Sequence, residues 1–419
     1  MGLCITNIRI FDGTPTPARA GSVRIEGERI AAIAYAPDTI TPQADDTVFD
    51  GAGRTLMPGL IDCHVHLQLG STVEAMGKPG NFPPEQLALT AAHAGRVLLD
   101  HGFTGAFSGG SSSAGAELAV KAAFDRGTLP GPRMVTSSME KLPGGAPGLI
   151  FKFPARDTRP SDPAAVAAFV EEMAGMGLQT VKFLLNGVSA MDPGTNLTEQ
   201  FHEDEIMAAG EAARRCGVEL TAHCYTAASV KVAIRAGFRL IYHCNYSDAE
   251  ALDMIEAAKD TLFVGLAPGI EEADHIRAPK FGVMASEGQV AEQANAVATK
   301  KAIGQELRRR GIRSLPGGDY GFPWNPIGLN ARDLELFVEW FGYSPVETLH
   351  AATQLGGELM RMEIGQVKEG YLADLLLVSG DPTANISLLR DPANLAMIIK
   401  GGAFHKNTLT PAPVPAEVA

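Results

Sequence analysis

The stretch Pro58-Gly59-Leu60-Ile61-Asp62-Cys63-His64-Val65-His66-Leu67 decides the reading of the chain. Apolar Leu60 and Ile61 lead into His64-Val65-His66. In an extended strand, residues i and i+2 point to the same side. Both imidazoles therefore face one way, within reach of one metal ion, with Cys63 and Val65 turned away as packing residues. Imidazole suits zinc and its neighbours in the transition series. Standing alone, such a pair also reads as two histidines on a polar strand face. The preceding Met57-Pro58-Gly59 places it at the far end of a buried strand, and the rest of the chain must decide.

Outward from this strand the pattern differs on its two sides. Upstream, residues 3–55 are β-type: Cys4 to Phe11 is apolar and β-branched, and a hairpin turns at Glu26-Gly27-Glu28. Downstream, to about residue 355, short apolar runs alternate with Ala-rich helical stretches. About eight strand–helix steps can be counted, counting the HxH strand as the first. Such alternation implies a parallel sheet, and this number a (β/α)₈ TIM barrel. A doubly wound sheet is the alternative, but no GxGxxG follows the first strand. Residues 360–419 return to β-type. The expected organisation is an α/β fold: a barrel over 56–358 and a small discontinuous β-sandwich domain from 1–55 and 359–419. The Pro/Ala-rich tail PAPVPAEVA is expected to be loose.

Composition narrows the function classes. The chain has 419 residues, a net charge of −13 and 45% hydrophobic residues. It is globular, and its acidity argues against a nucleic-acid partner. Five cysteines, an odd number with no CxxC pair, suit a reducing cytoplasm rather than a disulfide framework. No secretory signal or membrane-spanning apolar run is visible. Met1-Gly2-Leu3-Cys4-Ile5-Thr6 fits a loose myristoylation pattern but reads better as a strand. A cytoplasmic protein with no membrane partner is expected, and a homo-oligomer on the general frequency of dimers.

In a barrel of this kind, chemistry sits at the C-terminal ends of the strands. Few polar residues fall there: His64 and His66 on the first strand, Lys182 on the fourth, His223 on the fifth, His243 on the sixth and Asp319 on the eighth. Each alone has an ordinary explanation: a strand-end ion pair for Lys182, a hydrogen-bonded core histidine for His223 or His243, a turn cap for Asp319. Their joint appearance, in this order, is what chance does not explain. Lys182 is flanked by Thr180-Val181 and Phe183-Leu184-Leu185, so burial should favour its neutral amine. A neutral amine can add CO2 and become a carbamate, a carboxylate-like bridge between two cations.

In this order of residues the chain resembles the amidohydrolase superfamily, specifically its imidazolonepropionase-like and Xaa-Pro dipeptidase-like branch. The likeness extends to the phrase GYLADLLLVSGDP. By that resemblance His64, His66 and Asp319 hold one divalent ion, expected to be zinc, and His223 and His243 hold a second. Carboxylated Lys182 and a hydroxide bridge the two. Asp319 would take the proton of the attacking water and pass it to the leaving amine. Tyr225, two residues past His223, could donate to the oxyanion. His275, Arg277, Trp324 and Asn325 are candidate substrate contacts, with His275 also a catalytic candidate. His93, His101, His202, His350 and His405 fall away from strand ends. The chain departs from the branch at Cys244-Asn245-Tyr246, where a glycine is common after the histidine. It also departs at Ser108-Gly109-Gly110 and in the loop LPGGAPGLIFKFPAR. The expected function is hydrolysis of an amide-like bond in a small molecule: a dipeptide, N-acyl amino acid, carbamate, urea or lactam. A mononuclear heterocycle deaminase and a non-catalytic assembly subunit are the competing readings.

Overall fold

The computed structural model describes residues 2–72, 82–143, 153 and 155–412. The tail beyond Ala412 and most of the loop LPGGAPGLIFKFPAR lie outside these residues. Five strands come first: β1 (Gly2–Ile10), β2 (Arg19–Glu26), β3 (Arg29–Tyr35), β4 (Thr47–Asp50) and β5 (Thr55–Pro58). β1, β2 and β3 run antiparallel, and Gly27 makes the hairpin turn at φ 56°, a left-handed conformation that glycine adopts without strain. β1 pairs in parallel with β4 through its first half and with β5 through its last residues, so the sheet forks there.

Eight shorter parallel strands follow: β6 (Leu60–Val65), β7 (Phe103–Ser108), β8 (Arg133–Val135), β9 (Thr180–Leu184), β10 (Glu219–Thr226), β11 (Leu240–Tyr246), β12 (Phe263–Gly265) and β13 (Ser314–Leu315). Helices separate most of them: α1 (Pro84–Asp100), α2 (Ala114–Asp125), α3 (Pro163–Gly175), α4 (Glu203–Cys216), α5 (Ala227–Ala236), α6 (Ala249–Ala257), α7 (Pro268–Ile276) and α8 (Glu287–Arg309), with α9 (Arg332–Phe341) and α10 (Pro345–His350) after β13. Their starts follow from the sequence: Ser113, Asp162, Thr226 and Ser286 each accept a hydrogen bond from an otherwise unpaired first-turn amide.

The order β6-β7-β8 makes one sheet and β9-β10-β11-β12-β13 another. Backbone hydrogen bonds run between them at both edges. Thr180 N donates to Thr136 O at 3.0 Å and Lys141 N to Lys182 O at 2.8 Å on one side. Cys63 N donates to Pro316 O at 3.1 Å and His66 N to Tyr320 O at 2.8 Å on the other. Val181, Phe183, Ala222, Cys224, Ile241, Cys244 and Val264 pack outward against the helices, burying one long apolar layer.

The chain then returns to the first sheet with β14 (Leu375–Val378), β15 (Leu395–Lys400) and β16 (Ala403–Asn407), β14 pairing antiparallel with β5. Strands from both ends of the sequence thus share one eight-stranded sheet, and β5 runs directly into the HxH strand β6. Among the described residues no helix is long and apolar enough to cross a membrane.

Two local features differ from simple alternation. The β6–β7 ladder slips between Asp62 and Val65. Cys63 therefore does not share Val65's surroundings. It packs between strands, with Phe107, Tyr242 and Leu315, whereas Val65 packs with Ala91 and Leu98 of α1. The second is α7, an additional helix before α8 between β12 and β13. Pro268 opens it, and Ile270 and Ala273 bury one face against Leu69 and Trp324.

Candidate metal centre

The six strand-end residues converge. Asp319 Oδ1 lies 2.9 Å from His66 Nε2 and 3.4 Å from His64 Nε2, and its Oδ2 lies 3.9 Å from His243 Nε2. Lys182 Nζ is 3.5 Å from His64 Nε2, and the rings of His223 and His243 are 4.4 Å apart. His64, His66 and Asp319 alone place three ligand atoms within 4.8 Å of one another. All six side chains are buried, Asp319 most exposed at 9%.

The local backbone explains how. Gly109 passes so close to β6 that a Cβ there would meet His64 Cδ2 at 2.4 Å and His66 Nε2 at 2.8 Å. Its side-chain-free surface makes room for both rings, and its carbonyl accepts from Lys182 Nζ at 2.6 Å. Midway along β11, His243 and Cys244 leave extended geometry with φ of 71° and 57°. Tyr242 and His243 consequently both reach the site: Tyr242 stacks on His64 at 3.7 Å, with Lys182 Nζ 4.4 Å above its ring. Asp319 is also left-handed, at φ 59°, and its turn is braced by Asn325 Nδ2 on the carbonyls of Gly318 and Asp319.

Protonation suits metal ligation. Burial pushes His64 and His243 well below the usual histidine range and His223 down to about 3, so all three are neutral at pH 7. Burial also pushes His66 down, but the Asp319 carboxylate outweighs it and raises that ring. The Lys182 amine is lowered by burial, against the pull of Glu140. Burial raises the Asp319 carboxyl, but the adjoining His66 ring leaves it below its ordinary value. Carbonyls set the tautomers: His66 Nδ1–H donates to Gly110 O at 3.0 Å and His223 Nε2–H to Gly187 O at 3.2 Å. In the neutral rings this leaves the lone pairs on His66 Nε2 and His223 Nδ1. His64 Nδ1, both His243 nitrogens and Asp319 Oδ1 are buried without a hydrogen-bond partner. Such orphaned polar atoms are costly in a dry site, and their lone pairs fit divalent cations.

The comparisons decide the family. Residues 55–404 match the model of the amidohydrolase family. The chain belongs to that family. It is a hydrolase acting on carbon–nitrogen bonds, and the family's usual divalent metals have a His-His-Asp group to hold them here. Ochratoxinase of Aspergillus niger is 27% identical over 95% of this chain and 85% of its own. A solved Xaa-Pro dipeptidase with bound methionine in its active site superposes with a TM-score of 0.80, at 24% identity, over 97% of this chain and 100% of that one. A prolidase complexed with N-methylphosphonate-L-proline gives 0.82 at 23% identity, over 97% and 100%. The amidohydrolase resemblance read from the HxH strand and its partners is thus borne out.

The candidate substrate contacts are placed differently from the ligands. Tyr225 stacks on His243 at 4.8 Å, but its hydroxyl donates to Glu271 Oε1 at 3.0 Å rather than standing free for an oxyanion. His275 lies in the last turn of α7, and Arg277 just past it is occupied by Trp324 O at 2.7 Å and Glu272 at 3.4 Å. Trp324 Nε1 donates to Asp274, and Asn325 is fully buried in the Asp319 turn. Among the described residues none of these five lines the cavity over the ligands. Its wall beyond the ligands is Leu69, Leu184, Val188, Met191 and Phe322 with polar Gln68, Ser111 and Ser112, and it holds a further carboxylate, Glu140, 3.6 Å from Lys182 Nζ.

Sequence reasoning missed Glu140 and the supports behind the ligands. Asp62 caps His64 N at 2.8 Å and accepts from Asn330 at 2.7 Å. Its position two residues before His64 was a signal available in the sequence. Because the Tyr225 hydroxyl serves Glu271, Tyr225→Phe is expected to lower kcat by less than about tenfold. An oxyanion donor would cost about 10²–10³. Steady-state kinetics of the variant separates the two roles.

Proposed function

We propose that this protein is a two-metal amidohydrolase cleaving an amide-like C–N bond of a small molecule. The observation that supports it most is the convergence of His64, His66, His243 and Lys182 around one carboxylate, Asp319. In this reading His64, His66 and Asp319 hold one ion, expected to be zinc, and His223 and His243 hold the other. Lys182 joins them as a carbamate, its lowered amine giving up a proton as Nζ bonds to CO2. Two such ions would polarise the scissile carbonyl and lower the pKa of a water from its bulk value towards about 7. Asp319 accepts the proton of the attacking water on a carboxylate oxygen and returns it to the leaving nitrogen. The apolar wall shuts bulk water from the scissile bond, and Glu140 favours substrates that are neutral or cationic on its side.

The same reading takes the eight parallel strands as a closed (β/α)₈ barrel over 56–358. The hydrogen bonds at both edges of the two parallel sheets support it. The chain ends, 1–55 and 359–419, form the accompanying β-sandwich domain.

The test is a hydrolysis screen on metal-replete protein. It spans Xaa-Pro dipeptides and ochratoxin, after the relatives' names, with N-acyl amino acids, lactams, aryl carbamates and ureas. Turnover of at least one class, lost in Lys182→Ala, is expected. No turnover of any class, or deamination of heterocycles instead, contradicts the reading.

A further inference from the structure

Outside the ligand set, one buried cation is unaccounted for. Lys300 lies on the inner face of α8, in line with Gln293, Ala296, Ile303 and Leu307, and is fully buried. A core position taken by lysine costs desolvation, and burial holds this amine below its usual value. Its Nζ donates to His243 O at 2.9 Å and to Leu266 O at 2.5 Å. It also lies 3.7 Å from Glu271 Oε1, an atom that accepts from Asn245 Nδ2 at 2.7 Å and from the Tyr225 hydroxyl.

The two carbonyls it holds flank the strained backbone of this region. His243 and Cys244 are left-handed at φ 71° and 57°, and Ala267, next to Leu266, at φ 50°. A non-glycine residue in that conformation is strained and persists only where its surroundings hold it. His243 has no side-chain hydrogen bond to aim its ring. Its aim depends on its backbone and on the stacked Tyr225 ring, and both are tied to the Lys300–Glu271 pair.

We propose that Lys300 is a positioning residue for His243: from α8 it clamps the left-handed bulge within β11, so that the imidazole is presented to the centre. This rests on the two-metal reading for its ion count, though not for its backbone readout. Cys244 is left-handed without being glycine, so its backbone needs a clamp that a glycine there would not.

The experiment compares wild type, Lys300→Met/Glu271→Gln and Lys300→Gln. The double variant removes both charges together, so neither is left buried and unpaired. The double variant is expected to bind one ion fewer per chain than wild type. Its kcat should fall at least about 30-fold with KM changed less than about threefold. Lys300→Gln, which keeps a donor, should fall between. Adding Cys244→Gly to the double variant should restore at least about tenfold in kcat, because glycine adopts φ near 57° unaided. Wild-type ion content and kcat in the double variant overturn the proposal, as does a loss that glycine at 244 leaves unchanged. A crystal structure of Lys300→Gln or the double variant reads the clamp apart from the ions: residues 243 and 244 still left-handed in the absence of the lysine would overturn it. If wild type itself binds only one ion, the two-metal reading fails, and this backbone readout still decides the clamp.

Discussion

Lys182→Ala is expected to lower kcat by about 10³-fold or more and to reduce the metal content of the protein. The size follows from chemistry rather than packing. A bridging ligand contributes to both ions at once, and about 4 kcal/mol of lost transition-state stabilisation is already a thousandfold. Lys182 has the surroundings of a group that reacts as a neutral amine: fully buried, beneath Tyr242 and beside His64. Truncation to alanine also leaves a space lined by Gly109 O and Glu140, open to a small carboxylic acid. Acetate or propionate is therefore expected to restore part of the activity to Lys182→Ala and to do nothing for wild type. Full activity in Lys182→Ala without added acid would end the carbamate proposal, whatever the substrate proves to be.

The second large effect belongs to Asp319. Asp319→Asn keeps the size of the side chain and an oxygen to face the histidines, but it removes the charge and the proton acceptor. Loss of a positioned general base costs about 10²–10⁴ in rate. The expected result is a fall of that size in kcat with KM little changed, since the group acts on the proton in flight and not on the resting substrate. Asp319→Ala should in addition weaken the hold on the ion shared with His64 and His66, because it leaves that ion only two imidazoles and the bridging carbamate. An Asp319→Asn enzyme within tenfold of wild type in kcat would assign the proton transfer elsewhere, with Glu140 the nearest remaining carboxylate.

Much of this site was legible in the sequence because strand ends are easy to find where βα alternation is regular. His64, His66, Lys182, His223, His243 and Asp319 were each placed by counting strands, and the structure brings all six together. What a period of two could not show is the breaking of that period. The slip in β6 puts Cys63 among strand residues while His64 still reaches the centre, and the left-handed turn after Tyr242 brings two consecutive residues to one site. Both lie against elements distant in sequence, Gly109 packed on β6 and Lys300 of α8 beneath β11, which no local pattern records. The substrate candidates were read from proximity in sequence to strand ends. The structure engages Tyr225, Arg277, Trp324 and Asn325 with Glu271, Glu272, Asp274 and the Asp319 turn instead, because α7 presents its carboxylates to them. Lys300 left a trace, a lysine on the apolar stripe of a long helix, but its partners are carbonyls and carry no sequence signal.

The central claim is a centre for two divalent ions, and metal analysis of the wild-type protein tests it most directly. Protein purified without chelator and dialysed against excess zinc and bicarbonate, then freed of unbound metal, is predicted to retain about two ions per chain, and His243→Ala about one. One ion per chain in wild type, unchanged by His243→Ala, would contradict the account.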